Sequence, residues 1–266
     1  MFNEDFKTAW QKRFSSEPPS EPFDPLFLRH RSVRDYSDRE IPESTIQALV
    51  GAAQSAATSS NLQLWSVISI QNPELREQLA VAAADQRQVR SAPWFFAFLA
   101  DHNRLRIAAQ SVGENADGLD YKEFFTMAII DVALAAERMV CAAESMGLSI
   151  CYIGAMRNDP ARIAELLNLP DGTFCPFGLC VGYPIEDATS DIKPRLAQDA
   201  VWFKERYPDG IDLAEYDDRM TAFYESQEMK ADVTWSMRSG RRVDNHHLTG
   251  REVLKSWLES RGFSKR

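Results

Sequence analysis

The hydrophobic and polar positions divide the chain into stretches of two different periods. Between Tyr121 and Met146 the apolar residues Phe124, Phe125, Ala128, Ile129, Val132, Ala135, Ala136, Met139, Val140 and Ala143 recur every three or four positions, which gathers them on one face of an α-helix. Gly147 supplies its stop. At about 1.5 Å per residue such a helix runs roughly 38 Å, and its alanines let a second helix approach closely. Ile46, Leu49, Val50 and Ala53 repeat with the same spacing between Pro42 and Ala57, with Ser44 available as a cap. Asn72 to Ala84 and Asp159 to Leu167 read as further helices. Trp65 to Ile70, Trp94 to Ala100 and Phe177 to Tyr183 are short apolar runs bounded by polar residues or proline, the pattern of buried strands. Several helices with four or five short strands, lacking strict β-α-β alternation, predict an α+β sandwich.

Both ends depart from this pattern. Residues 1–26 carry the segment Ser15-Ser-Glu-Pro-Pro-Ser-Glu-Pro22, whose prolines lack amide donors and whose composition buries little surface. They read as a Pro-rich arm appended to a domain of residues 27–266. Beyond Ala188 the chain grows polar, yet Trp235, Leu254, Trp257, Leu258 and Phe263 make the tail too apolar for plain disorder. The expectation is that it wraps a partner subunit.

Composition narrows the function classes. With 30 Lys+Arg against 39 Asp+Glu, the 266 residues carry a formal net charge of −9, a balance that repels nucleic-acid phosphates and anionic lipid. No stretch approaches about 18 uncharged apolar residues, and no basic leader precedes an apolar core. A cytoplasmic protein with no nucleic-acid and no membrane partner is expected. Cys141, Cys151, Cys175 and Cys180 form no Cys-x-x-Cys and read as buried free thiols. A Gly-x-Gly-x-x-Gly turn, a P-loop, a Gly-x-Ser-x-Gly elbow and a His-Glu-x-x-His helix are all missing from the sequence. The four histidines include the adjacent pair His246 and His247, a poor start for a metal site, and none is expected.

Four segments carry candidate chemistry. Arg29-His-Arg-Ser-Val-Arg34-Asp-Tyr36 concentrates three arginines and a hydroxyl; it suits phosphate, and equally reads as a solvated basic face. In Lys193-Pro-Arg195 the proline fixes the backbone between two cations, which could then meet one anion. Ala57-Thr-Ser-Ser-Asn-Leu-Gln63 offers donors and acceptors to the edge of a flat heterocycle, or simply ends a helix. In Cys151-Tyr-Ile-Gly-Ala155, Gly154 would let backbone approach a ligand, while Gly178 and Gly182 sit in a strand-like run and read as packing positions.

In this order, the segments His30-Arg-Ser-Val-Arg34, Ala57–Gln63, Ala142-Ala-Glu-Ser-Met-Gly-Leu148, Tyr152-Ile-Gly-Ala155, Phe177-Gly-Leu-Cys-Val-Gly-Tyr-Pro184 and Lys193-Pro-Arg-Leu196 resemble the nitroreductase family of FMN flavoproteins, particularly its NADPH-dependent nitroreductase and flavin reductase group. The resemblance runs from about Phe27 to Phe263 and does not extend to the arm. It implies an α/β/α sandwich with a central mixed sheet and a long central helix, in an intertwined homodimer. It also implies that His30, Arg31 and Ser32, with Lys193 and Arg195, hold the FMN phosphate and ribityl chain. Arg34 would sit near the N1/O2 edge of the isoalloxazine as the electrostatic stabiliser of the reduced flavin. Thr58 and Ser60 match the segment lining the ring, Gln86 a ring or ribityl contact, and Tyr152, Ile153, Gly154 and Ala155 the backbone passing the flavin.

Hydride chemistry in such a protein belongs to the cofactor, so no catalytic triad is required. The chain departs from the family pattern at Ala155, where relatives often carry a second glycine. It departs again at Glu228-Met-Lys-Ala-Asp-Val-Thr-Trp235, where the NADPH-preferring group offers arginines to the 2′-phosphate; Lys230 and Arg238 are the remaining substrate-binding candidates. The resemblance implies an NAD(P)H oxidoreductase, with NADPH or NADH as donor and a small nitroaromatic or quinone-like acceptor, working in ping-pong order. Alternatives are a flavin reductase serving a monooxygenase, and a flavin-holding protein without turnover.

Overall fold

The computed structural model describes residues 4–229 and 233–266. In chain order its helices are α1 (Phe6–Phe14), α2 (Leu26–Arg29), α3 (Glu43–Gln54), α4 (Pro73–Ala82), α5 (Arg87–Ser91), α6 (Asn103–Ser111), α7 (Lys122–Ser145), α8 (Pro160–Leu166), α9 (Ala214–Ser226), α10 (Trp235–Arg242) and α11 (Leu254–Ser260). The strands are β1 (Trp65–Ile70), β2 (Trp94–Asp101), β3 (Ser149–Ile153) and β4 (Thr173–Gly182). Two compact units divide the chain: Met1–Arg31 with Glu186–Leu248, and Ser32–Ile185 with Thr249–Arg266.

The second, larger unit is built on a sheet of order β1-β2-β4-β3. Its strands pair antiparallel, with Trp65 opposite Ala100, Phe95 opposite Cys180 and Tyr152 opposite Leu179. A parallel bridge from Ser32 to Ile150 makes the sheet mixed at the β3 edge. Alternation along β2 feeds two cores. Phe96 and Phe98 meet Leu49, Val132 and Met139 of α3 and α7. Phe95, Ala97 and Leu99 meet Leu79, Val89 and Ile163 of α4, α5 and α8. The unit is therefore a three-layer α/β/α sandwich, and truncating one of these fully buried phenylalanines would cost roughly 3–5 kcal/mol.

The helix ends follow local chemistry. Asn72 accepts from the Leu75 amide and Asp159 from the Arg162 amide, each with proline next in the chain. Gly147 adopts φ +76° just past α7, where a side chain would be strained. Ser44 lies inside α3, which begins after Pro42 with no side-chain cap; proline's fixed φ starts the helix where a cap was expected. Strand β4 begins at Thr173, ahead of the expected Phe177, and Pro176 falls at the register shift between Phe98 and Ala100, where its missing amide leaves no gap in the ladder. A Cβ on Gly178 would run into the Phe95 ring, so this glycine is a packing position as expected.

Part of the tail packs within its own unit. Leu258 and Phe263 are buried in the same chain against Leu64, Ala100 and Phe174, because α11 brings both onto the end of the sheet. Cys151, Cys175 and Cys180 are buried free thiols and Cys141 is half-buried. Burial pushes the Cys175 thiol up to about 12.

In the first unit the arm is more ordered than its composition suggested. Asp5 caps α1 through the Thr8 amide at 2.8 Å, and Ala9 and Trp10 are buried with Leu28 and Ile192. The prolines follow the helix instead of interrupting it. A second small core joins Tyr216, Met220 and Tyr224 to Leu196 and Trp235. Among the described residues no helix is long and apolar enough to cross a membrane.

Candidate functional site

In the larger unit, the stretch after Arg31 lies along β3. The Val33 amide donates to the Ile150 carbonyl at 3.0 Å, and the Tyr36 hydroxyl donates to the Val33 carbonyl at 2.7 Å. Extended backbone alternates its side chains, so Val33 turns into the core while Ser32 and Arg34 are exposed on the other side. Arg34 reaches the Ser32 carbonyl at 3.5 Å. Burial raises the pKa of the Cys151 thiol, and the Arg34 charge opposes that rise, which places the cation beside the stretch leading to Tyr152.

That stretch is held on both sides. Tyr152 packs edge-on against Phe177 and its hydroxyl donates to Glu137 of α7 at 3.2 Å. Burial, and then the Glu137 charge, raise the Tyr152 pKa and keep the phenol protonated. Ile153 is buried. The Gly154 carbonyl accepts from Arg251 at 3.3 Å, and a Cβ on Gly154 would come within 3.3 Å of the Arg157 guanidinium. The missing side chain thus makes room for Arg157, a neighbour that sequence reading did not anticipate. Ala155 packs its methyl against the core beneath α4 and α8.

The Thr58–Gln63 loop owes its shape to one residue that sequence analysis passed over. Ser60, Asn61 and Gln63 all have positive φ, between 51° and 55°, a region costly for residues other than glycine. Asp131 of α7, fully buried, accepts from the Ser59 amide at 2.8 Å and the Leu64 amide at 3.1 Å. A single carboxylate therefore clamps both ends of the strained loop and presents Thr58 and Ser60. The signal was available: Asp131 stands three after Ala128 and four before Ala135, an acid on the buried face. Gln86 stands at the N-cap position of α5 without a side-chain cap, and its side-chain oxygen accepts from Gln88 at 2.8 Å.

In the smaller unit the candidate cations fall into two classes. The Arg31 side chain is only 3% exposed, paired with Glu4 and, at 3.3 Å, with Asp191, which Lys12 also meets at 2.8 Å. Burial raises the Glu4 pKa, but hydrogen bonds from the backbone and from Arg31 outweigh it and leave the carboxyl low. Lys193 and Arg195 are exposed on either side of the buried Pro194. His30 is half-exposed, and its carbonyl accepts from Arg13 at 2.6 Å. Arg238 stacks over the Tyr224 ring at 4.1 Å, and Lys230 lies outside the described residues. Among the described residues no group of His, Cys, Asp and Glu could hold a metal ion.

The structure thus brings Ser32 and Arg34 to the same sheet edge as β3, and gathers His30, Arg31, Lys193 and Arg195 around the arm. Comparison with known proteins identifies the family. Residues 28–183 match the nitroreductase family and residues 193–266 match the C-terminal domain of that family. The FMN reductase (NADPH) of Bacillus subtilis is 37% identical over 245 residues, covering 90% of this chain and 96% of the relative. The solved NfrA1 nitroreductase from B. subtilis superposes with a TM-score of 0.84 at 36% identity, over 91% of this chain and 98% of that one. The NADPH:FMN oxidoreductase from Vibrio harveyi, solved in complex with NAD+, gives 0.79 at 31% identity, over 91% and 98%. The chain belongs to the nitroreductase family of FMN-dependent oxidoreductases, in its NADPH-dependent nitroreductase and flavin reductase group.

Proposed function

We propose that this NAD(P)H oxidoreductase is an NADPH nitroreductase, passing electron pairs from NADPH to nitroaromatic or quinone-like acceptors in ping-pong order, as a cytoplasmic homodimer. The observation that carries the reading is the β3 edge, where exposed Arg34 follows the Ser32–Ile150 bridge and its charge acts on Cys151, next to Tyr152, in a chain of this family. FMN, when bound, supplies the hydride chemistry. The donors present suit it. Arg34 is a fixed cation for the N1/O2 edge, favouring the form in which negative charge develops there. Thr58, Ser60 and Gln86 offer hydroxyl and amide groups to the ring and ribityl chain. His30, Arg31, Ser32, Lys193 and Arg195 offer charge-assisted donors to the phosphate. Lys230 and Arg238 take the 2′-phosphate of NADPH.

A second reading, reduction of free flavin for a partner monooxygenase, is favoured by the B. subtilis relative named FMN reductase (NADPH). Faster turnover of free FMN than of a nitroaromatic would select it. The primary test is an anaerobic titration of purified protein with NADPH, and separately NADH, while the visible flavin spectrum is recorded. Bleaching of a bound yellow chromophore at lower NADPH than NADH is expected; a colourless protein that FMN does not reconstitute overturns the reading.

A further inference from the structure

We propose that Arg13, on the N-terminal arm, is a positioning residue that sets the spacing of the two cation-bearing segments 28–31 and 193–195 so that together they take one phosphate. The proposal rests on the FMN-phosphate reading above and adds to it a residue outside the span that resembles the family.

Arg13 is 5% exposed and lies at the end of α1. Its Nε donates to the Leu28 carbonyl at 2.9 Å, Nη2 to the His30 carbonyl at 2.6 Å, and Nη1 to the Lys193 carbonyl at 2.6 Å. Its own carbonyl accepts from the Arg195 amide at 2.8 Å and from Arg219 at 3.2 Å. One planar fork therefore binds carbonyls of two segments that lie far apart in sequence, and the same residue's backbone holds the second segment again. The residues so tied, His30 and Arg31 on one side and Lys193 and Arg195 on the other, are the ones the family resemblance assigns to the phosphate.

Geometry explains why this matters for binding. Two cations on independent segments must be brought together at each binding event, whereas a prearranged pair gives up little freedom when the anion arrives. The guanidinium suits the task because its donors diverge in a fixed plane; a lysine ammonium on a flexible stem cannot hold three divergent carbonyls at once. Lys12 and Glu4, also on the arm side, pair with Asp191 and Arg31 and tie the same two segments at their flanks.

The test compares wild type with Arg13→Lys, both stripped of flavin, titrated with FMN and with riboflavin, which has the same ring and no phosphate. Quenching of flavin fluorescence reads the affinity, and circular dichroism checks the fold. Arg13→Lys is expected to weaken FMN by roughly tenfold or more, the worth of one charge-assisted hydrogen bond, and riboflavin by no more than about twofold. Unchanged FMN affinity, or equal weakening of both ligands as a merely structural role would give, overturns the proposal. Wild type that holds FMN no more tightly than riboflavin removes the phosphate assignment itself. Should Arg13→Lys fail to fold, hydrogen exchange of the wild-type apoprotein decides: a protected Arg195 amide before FMN is added supports prearrangement, and one protected only after FMN overturns it.

Discussion

Arg31 and Arg34 are three residues apart in one basic stretch, yet Arg31 is buried among carboxylates while Arg34 is exposed at a sheet edge beside β3. The contrast extends to the units that hold them. In the smaller unit, charged groups set one another's positions, with Glu4, Lys12, Arg31 and Asp191 in one cluster and Arg13 bound to carbonyls beside it. In the larger unit, sheet register places Ser32 and Arg34, and a single buried carboxylate shapes the neighbouring polar loop. A site assembled from charges responds to charge removal, whereas one placed by a sheet and a buried hydrogen-bonded group responds to lost packing and unsatisfied amides.

The largest effect is expected in the larger unit. Asp131→Ala leaves two amides without their acceptor and should cost roughly 3 kcal/mol or more by urea unfolding. Asp131→Asn should cost less, since its carbonyl still accepts one bond. Next comes the smaller unit, where Arg195→Ala should weaken FMN retention by roughly 1.5–3 kcal/mol while leaving unfolding nearly unchanged. Arg31→Ala should do both, because Glu4 and Asp191 are then left with Lys12 alone of the cluster's two cations. Full FMN occupancy of both variants after dilution would remove these residues from the phosphate.

Arg34→Met should act differently from either: spectroelectrochemistry should find the flavin midpoint potential more negative while retention changes little. An unchanged potential would take Arg34 away from the N1 edge.

Acid should also divide the two regions. His102 is fully buried against the Phe263 ring in the larger unit, and burial holds its pKa below the ordinary 6.5. The unfolded chain then takes up a proton before the folded one does. Stability is present in full above pH 6.5 and declines as pH falls toward the folded pKa. The Tm should drop between about pH 7.5 and about pH 5.5, and His102→Gln should flatten that drop. The smallest effect is expected at the exposed Arg87–Asp35 pair: Asp35→Asn should change stability by less than about 1 kcal/mol.

Much of the larger unit was legible in sequence because its signals are local and periodic. The repeat from Phe124 to Ala143 gave α7, and Asn72-Pro73 and Asp159-Pro160 gave two helix starts. Strand β3 was harder to read, since five residues bearing a cysteine and a tyrosine show no alternation and are fixed only by pairing with β4. In the arm, prolines after Ser16 masked the helix before them, whose apolar face is completed by Leu28 and by Ile192 from far along the chain.

The sequence by itself determined the helices and strands with strong periodicity, the family, and the residue types available to an anion and a flat ring, because propensity, spacing and motif order are written in neighbouring residues. Only the tertiary structure decided that Arg31 is buried and Arg34 exposed, that Asp131 shapes the polar loop, and that Arg13 joins two distant segments. Each of those outcomes depends on which backbone amides, carbonyls and charges come within hydrogen-bond reach, and that proximity is made by packing between residues the sequence keeps far apart.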